Sequence, residues 1–216
     1  RCPDLPLSTH PKAIAYAMCG LYDYLKKYAG ASHVKGLLRA GADCLVGLYH
    51  TNKKTGWEWY GPTMTYANAK VPYALLLAHN IFKEDAYRDI ALKTLGFLTD
   101  IQYNGEYFDI VGNQNWLTKG APRAYFDQQP IEIGYLVETY CEALRQTQDE
   151  NYRNLANKAF SWFFGNNRLG VPVFNLQGDY PLDGLTEGGS NENSGAESII
   201  TFALGVTCLK EISNKI

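Results

Sequence analysis

Acidic and amide side chains that could transfer protons or form hydrogen bonds are concentrated in the segment 123–140. Within it, Asp127, Gln128 and Gln129 directly precede Pro130, which suits the first turn of a helix because its missing N–H would have no partner there. Asp127 could serve as a general acid or base, since a carboxylate can exchange a proton with a reacting group. Asp127 or Gln128 could equally be the helix N-cap, which accepts backbone N–H groups. The sequence leaves both roles open.

Two further acids could complete a catalytic pair with Asp127. Glu192 lies between Asn191 and Asn193, and Glu197 follows shortly afterwards. Glycoside hydrolysis needs two carboxylates, one that protonates the leaving oxygen and one that activates water. The alternative is structural: either asparagine would be a helix cap, and Glu197 an acid favoured by the dipole of the first helical turn.

Aromatic residues beside polar ones could hold a sugar ring. Trp57, Glu58 and Trp59 follow one another in a glycine-bounded turn, and Trp116 follows the amides at 113–115. Ring faces stack on the C–H faces of sugars, while carboxylates and amides bond their hydroxyls. An equally open interpretation of the first turn is that its tryptophans only plug the hydrophobic core.

The composition restricts the class of protein. The chain has 216 residues and a formal net charge of −2, which fits a single domain over residues 1–216 and favours neither nucleic acid nor an anionic membrane as partner. No apolar run approaches the ~20 residues of a membrane helix.

The five cysteines include no C-x-x-C pair. They are interpreted as reduced core thiols of a cytoplasmic protein, with a disulfide set as the alternative. The four histidines are scattered without ligand spacing, and we predict no metal and no cofactor.

Seven helical patterns are available to position these residues. Apolar residues recur at helical spacing within residues 11–28, 32–48, 68–82, 84–101, 130–144, 150–164 and 194–212. No convincing strand pattern interrupts them. Residues 84–93 are similar to residues 149–158, and such a repeat of helix pairs favours stacked or circular hairpins.

The connections between the helices alternate between short and long. The long ones cover residues 50–65, 102–128 and 165–193. If successive helices are antiparallel, all three long loops emerge at the same end of the bundle, and long loops on a rigid scaffold usually carry function. We therefore predict one cleft lined by Trp57, Trp59, Trp116 and Asp183.

Six motifs carry a resemblance to a known family: WEWYGPTMTYANAKVPYALL, GNQNW, RAYFDQQPIE, WFFGNN, DGL and NENSGAES. In their order and spacing, the chain resembles the helical toroid domain that some bacterial sugar-transfer proteins carry C-terminal to a family 4 glycosyltransferase domain. That domain also occurs alone, and its architecture is similar to that of six-hairpin glycosidases. The resemblance implies an all-α fold, an α/α toroid of helical hairpins.

The number of helices bears on whether the toroid is complete. Six hairpins need about twelve helices and seven are predicted, so this chain is either a complete small toroid or the C-terminal part of a larger one. Seven helices leave one helix unpaired and apolar faces without neighbours. We predict that a partner chain or additional N-terminal helices cover them.

The resemblance also implies a carbohydrate-active domain that binds a saccharide on its long-loop face. Ala67 and Gly61 stand where the family pattern suggests acids, which bears on whether this chain cleaves a sugar or only holds it. Two functions are expected: a glycoside hydrolase that pairs Asp127 with Glu197 or Glu192, or a non-catalytic accessory module of a glycosyltransferase. The predicted saccharide contacts are Trp57, Glu58, Trp59, Tyr66, Asn68, Trp116, Arg123, Gln128, Gln129, Asp183 and Asn193.

Overall fold

Helices dominate the structure, a computed structural model that describes residues 10–214. Every predicted helical pattern corresponds to one helix, and the all-α class is confirmed. The helices are α1 (Pro11–Lys27), α2 (Ser32–Asn52), α3 (Lys70–Phe82), α4 (Asp85–Gln102), α5 (Pro130–Thr147), α6 (Asn151–Phe160) and α7 (Ala196–Ser213). A 3-10 turn, Ser161–Phe164, extends α6 and ends at Gly165, whose left-handed φ of 98° is typical of the residue that terminates a helix.

Six strands of two or three residues lie in the long connections. They are β1 (Thr63–Met64), β2 (Leu117–Thr118), β3 (Phe174–Asn175), β4 (Tyr180–Pro181), β5 (Gly184–Thr186) and β6 (Gly189–Asn191). They form three antiparallel pairs, β1 with β2, β3 with β4 and β5 with β6. Segments this short cannot display a two-residue alternation, so they could not be recognised from the pattern of apolar residues.

The helix starts differ from the predicted caps. The N-cap of α5 is Gln129 and makes no side-chain cap hydrogen bond, so neither Asp127 nor Gln128 caps that helix. The N-cap of α7 is Gly195, and neither Asn191 nor Asn193 occupies that position. The cap interpretation of Asp127 is therefore wrong, because the chain enters α5 two residues later than the cap prediction requires.

The chain divides into two compact units. The first unit, in its described part, comprises residues 10–62 and 70–97, with α1 packed against α2 and α3. Its core contains the fully buried side chains of Ile14, Met18 and Leu38. The division falls inside α4, and the prediction of a single domain over residues 1–216 stays a prediction.

The second unit, residues 63–69 and 98–214 of the described chain, is built around α5, which packs against α6 and α7. The predicted apolar stripe of α5, which includes Ile133, Val137 and Tyr140, is buried. Gly134 lets α7 approach closely, since a Cβ added there would lie 2.7 Å from the carbonyl oxygen of Thr201. Helix α5 is therefore the central helix of this unit, against which α6 and α7 pack.

Helix α7 exposes two large apolar side chains near its start. Ile199 is 47% exposed and Ile200 is 66% exposed. This agrees with the expectation that some helical faces lack a neighbour within the chain. The toroidal arrangement, and the helices that would complete it, stay predictions.

Four of the cysteines are free thiols: Cys19 and Cys44 are half-buried, and Cys141 and Cys208 are buried. Burial raises the pKa of Cys141 and of Cys208 to about 12, so both stay protonated at neutral pH. The fifth, Cys2, lies outside the described residues. Within residues 10–214, no helix has the length and apolar character needed to cross a membrane.

Candidate functional site

A cleft of about 210 Å³ in the second unit collects several of the predicted site residues. We call it the Asp127 cleft. Its lining consists mostly of short polar side chains: Asn113, Asp127, Gln128, Gln129, Asp183, Gly184, Leu185, Thr186 and Asn191. Asp127, Gln128, Gln129 and Asp183 were predicted from the sequence, so residues from two separate long loops meet here.

Backbone hydrogen bonds hold the loops of the Asp127 cleft together. Gln128 and Leu185 exchange two bonds, N–H to O at 3.0 Å in one direction and 2.9 Å in the other. The N–H of Asn113 donates to the carbonyl oxygen of Asp127 at 3.1 Å. The segment before α5 is thus fixed to the β5–β6 hairpin on one side and to the 113–116 turn on the other.

Two glycines permit these close approaches. A Cβ added at Gly184 would lie 2.4 Å from the carbonyl oxygen of Gln128, and one added at Gly112 would lie 1.9 Å from that of Phe126. Neither distance is compatible with a side chain, and in both cases the obstacle is backbone. The DGL motif therefore needs its glycine for the pairing that forms the cleft.

We expect Gly184→Ala to lower the free energy of unfolding by about 2 kcal/mol or more, because the Gln128–Leu185 pairing must separate to admit the methyl group. Urea unfolding measures this. The matched control is Gly188→Ala in the same hairpin, where the nearest atom would be 3.9 Å away. Equal effects of the two substitutions would contradict the close approach at Gly184.

A buried ionic network lies beneath the Asp127 cleft. Asp109 is 3% exposed and accepts hydrogen bonds from Arg123 at 2.6 Å and from Arg168 at 3.0 and 2.7 Å. The side-chain amide of Gln128 donates to the same carboxylate at 2.8 Å and accepts from the indole N–H of Trp162 at 3.0 Å. Arg123 and Gln128, both predicted as saccharide contacts, bond to protein groups that fix the turn before α5, and Gln128 also lines the cleft.

Three members of this network were not predicted: Asp109, Trp162 and Arg168. One signal was present in the sequence, since Asp109 is a single acid within the apolar run Phe108-Asp109-Ile110-Val111. A carboxylate in such a run needs a buried partner. The hydrogen bonds that Arg168 donates to Asp109 raise the pKa of Arg168, which keeps the guanidinium charged.

Asp127 is the carboxylate of the cleft that is left unused by the fold. It is half-buried, and within residues 10–214 its side chain has no hydrogen-bond or ion-pair partner. Its φ of 57° lies in the left-handed region, which non-glycine residues adopt at a cost. Such conformations concentrate at functional sites, where the surrounding structure enforces them. The unpaired carboxylate is therefore available to a ligand.

Asp183 is held in place by the start of α7. Its Oδ1 accepts the backbone N–H of Gly195 at 2.6 Å and the hydroxyl of Ser198 at 2.5 Å. Its own backbone N–H donates to the carbonyl oxygen of Asn193 at 2.8 Å. Asn193 is exposed and contributes its backbone to this junction rather than its amide to the cleft lining.

The two glutamates predicted to pair with Asp127 lie elsewhere. Glu192 lines a different cleft. Glu197 is exposed in the first turn of α7, where the helix dipole favours an acid, as its structural interpretation predicts. Neither is among the residues that line the Asp127 cleft. The carboxylates that do line it are Asp127 and Asp183.

Three other predicted contacts lie outside this lining. Tyr66 is exposed and Trp116 half-buried, and their ring centroids are 5.9 Å apart. Asn68 is 2% exposed, with its backbone N–H and side-chain amide donating to buried Glu132 at 2.9 and 3.1 Å. Gln102 donates to the same carboxylate at 2.8 Å. Asn68 thus belongs to a buried polar cluster that sequence inspection did not identify.

The aromatic turn of the first unit is packed into protein. Trp57 and Trp59 are 6% and 4% exposed, and the indole N–H of Trp57 donates to the carbonyl oxygen of Gly61 at 2.8 Å. The ring of Trp57 meets Phe97 edge-on, with centroids 5.5 Å apart. This is the arrangement of the core-plug interpretation, and it leaves neither ring with an open face for a sugar.

Glu58, between the two tryptophans, is paired with protein groups. It accepts the hydroxyl of Tyr49 at 2.5 Å and lies 3.3 Å from the ammonium of Lys93. The hydrogen bond from Tyr49, followed by that from Lys93, lowers the pKa of Glu58 below its ordinary value of 4.5. Glu58 was predicted to contact a saccharide, and its carboxylate already interacts with these two protein groups.

The lowered pKa gives a pH-dependent prediction. Charged Glu58 stabilises the fold above its ordinary pKa of 4.5, and this stabilisation disappears as pH falls through the lower folded pKa. We expect Glu58→Gln to remove up to about 1 kcal/mol of stability at neutral pH and less below about pH 4. Thermal melting at several pH values measures this, with Glu187→Gln, an exposed acid, as control. A constant difference across the pH range would contradict the assignment.

The described part of the chain contains no cluster of three or more histidine, cysteine or acidic residues that could hold a metal ion. The side chains that line the Asp127 cleft offer carboxylates, amides and one hydroxyl to a ligand.

No known protein-family model matches this chain, and no curated protein matches it.

Proposed function

We propose that this chain binds a saccharide in the Asp127 cleft. The lining supports this, because the amides of Asn113, Gln129 and Asn191 offer both donors and acceptors, the pattern that a neutral polyol needs. A volume of about 210 Å³ is below the ~300–1,000 Å³ of pockets for drug-sized ligands and suits a single sugar ring. The observation that carries the proposal is the unpaired carboxylate of Asp127, which can accept two sugar hydroxyls.

Binding without cleavage is the form of this function that the geometry favours. Glu192 and Glu197 do not line the cleft, and Oδ1 of Asp183 already accepts two hydrogen bonds from the start of α7. A hydrolase needs a second carboxylate that is free to activate water. Asp183 is tied to a structural role.

Hydrolysis is the second candidate, and one observation favours it. Asp127 and Asp183 line the same cleft, so a sugar bound there would meet two carboxylates. In that case Asp127 would protonate the leaving oxygen, and Oδ2 of Asp183 would accept a proton from water.

The wider setting of the protein is also a proposal. We infer that the helical hairpins belong to an α/α toroid of the kind that the motifs resemble, completed by helices outside this chain. In that setting the module is cytoplasmic and presents an acceptor glycan to a glycosyltransferase. The exposed apolar side chains of Ile199 and Ile200 support the need for a further helical neighbour.

A saccharide panel tests the proposed function. Soluble mono- and oligosaccharides are titrated into the protein by isothermal calorimetry, and the release of new reducing ends is measured in parallel. We expect at least one sugar to bind with a Kd between about 1 μM and 1 mM and to remain intact. Release of reducing ends would establish the hydrolase instead, and a panel without any binding would contradict the proposal.

A further inference from the structure

A second and larger cleft, of about 450 Å³, opens beside the β3–β4 hairpin. We call it the β3–β4 cleft. Five of its lining residues are apolar or aromatic: Pro172, Phe174, Leu176, Tyr180 and Leu182. Its volume lies within the ~300–1,000 Å³ range of small-molecule sites. Its lining combines these side chains with two amides, a serine and one carboxylate, whereas Leu185 is the one large apolar residue among those that line the Asp127 cleft.

The two clefts lie on opposite sides of strand β6. Ser190 and Glu192 line the β3–β4 cleft, whereas Asn191 between them lines the Asp127 cleft. Successive side chains of an extended strand point to opposite faces, which explains this alternation. The β3–β4 cleft is therefore a separate site, and a ligand for it can be inferred independently of the proposed saccharide function.

Hydrogen bonds and a ring contact fix the β3–β4 hairpin beside the cleft. Oδ1 of Asn175 accepts the backbone N–H groups of Gln177 and Gly178 at 3.0 and 2.8 Å, and its amide donates to the hydroxyl of Tyr180 at 3.0 Å. Phe174 packs against the ring of Phe202, with centroids 4.9 Å apart. These contacts hold the hairpin in place, so little conformational ordering is needed for binding.

The exposure of its apolar residues indicates what the cleft would bind. Phe174 and Leu182 are 8% and 7% exposed, while Leu176 is 65% and Tyr180 36% exposed. A flat apolar group bound in the cleft would contact Leu176 and the Tyr180 ring, since both line it. Such a group would shield apolar surface that water now contacts.

Electrostatics narrow the ligand class further. Glu192 is the one charged residue that lines the β3–β4 cleft. An anionic ligand would be repelled, whereas an N–H or O–H donor would find an acceptor. We propose that the β3–β4 cleft binds an amphipathic small molecule with a flat apolar body, no negative charge, and a hydrogen-bond donor that faces Glu192.

Two fluorescent probes with the same skeleton test both parts of the proposal. N-phenyl-1-naphthylamine is uncharged, apolar and carries an N–H donor, and 8-anilinonaphthalene-1-sulfonate adds a sulfonate to the same rings. We expect the uncharged probe to bind the folded protein with one-to-one stoichiometry and more tightly than the sulfonate. Glu192→Gln should strengthen binding of the sulfonate about threefold or more, because it removes the repulsion.

A matched pair of variants locates the binding site. Leu176→Ser should weaken binding of the uncharged probe about five- to tenfold, because Leu176 is an exposed apolar residue of the cleft lining. Ile200→Ser is the control, since Ile200 is equally exposed, at 66% against 65%, but lies on α7 outside the cleft. Both the leucine and the isoleucine are surface residues, so both variants should fold, which circular dichroism verifies.

Three results would overturn the proposal: no binding of the uncharged probe, equal losses in Leu176→Ser and Ile200→Ser, or unchanged sulfonate affinity in Glu192→Gln. Equal losses would mean that the probe adheres to exposed apolar surface in general. Unchanged sulfonate affinity would mean that Glu192 does not face the ligand. None of these results bears on saccharide binding by the Asp127 cleft, so the two proposals can fail separately.

Discussion

Replacing Asp109 with alanine should lower the free energy of unfolding by about 3–5 kcal/mol. The substitution removes the shared acceptor of Arg123, Arg168 and Gln128. Two guanidinium groups would then remain partly buried, with side-chain exposures of 15% and 30%, and without the carboxylate that compensates for their lost hydration. The cost arises from the uncompensated charges more than from the lost bonds themselves.

Urea unfolding of Asp109→Ala measures this effect, with Glu211→Ala as the matched control. Glu211 also accepts a hydrogen bond from an arginine, Arg145, at 2.6 Å, but its side chain is 58% exposed. An exposed pair of this kind is worth less than about 1 kcal/mol. If the two variants lose similar amounts of stability, Asp109 is not the buried centre of the network.

Asp127→Asn should weaken saccharide binding about ten- to a hundredfold and leave the fold intact. A hydrogen bond to a charged group contributes about 1.5–3 kcal/mol, and the substitution removes the charge at the one carboxylate of the cleft that the fold does not use. Asparagine tolerates the left-handed φ of 57° as well as aspartate does, so the backbone should not rearrange. If the protein hydrolyses its ligand, the same variant should lose about 10²–10⁴-fold in turnover.

The control for Asp127 is Glu197→Gln. Glu197 is an exposed acid in the first turn of α7 and does not line the cleft, so its substitution should leave affinity unchanged. Calorimetric titration of both variants, together with their melting temperatures, separates loss of a ligand contact from loss of fold. Wild-type affinity in Asp127→Asn would remove Asp127 from the binding site, and equal losses in both variants would indicate a non-specific charge effect.

The helices could be predicted from the sequence because each buries an apolar stripe of helical period. The stripe of α5, with Ile133, Val137 and Tyr140, is an example. Pro130 marked the start of that helix correctly. The same signal could not locate the caps, since Gln129 and Gly195 at the N-cap positions make no side-chain cap hydrogen bond.

The candidate site was predicted in part. Asp127, Gln128, Gln129 and Asp183 do line one cleft, because the backbone pairing of Gln128 with Leu185 brings their two loops together. Arg123, a predicted saccharide contact, bonds to Asp109, and this partner can be recognised only once the chain is folded. The sequence left the role of the turn around Trp57 open for a related reason. Tryptophans beside a carboxylate suit a sugar site and a hydrophobic core equally well, and the choice depends on tertiary packing.

The most direct measurement for the central proposal is a crystal structure with the tightest-binding saccharide from the panel. We predict a sugar hydroxyl within about 2.6–3.2 Å of the carboxylate of Asp127, and further bonds to Asn113, Gln129 or Asn191. A sugar bound elsewhere, for example on the exposed ring of Tyr66, with the Asp127 cleft holding only water, would contradict the proposal.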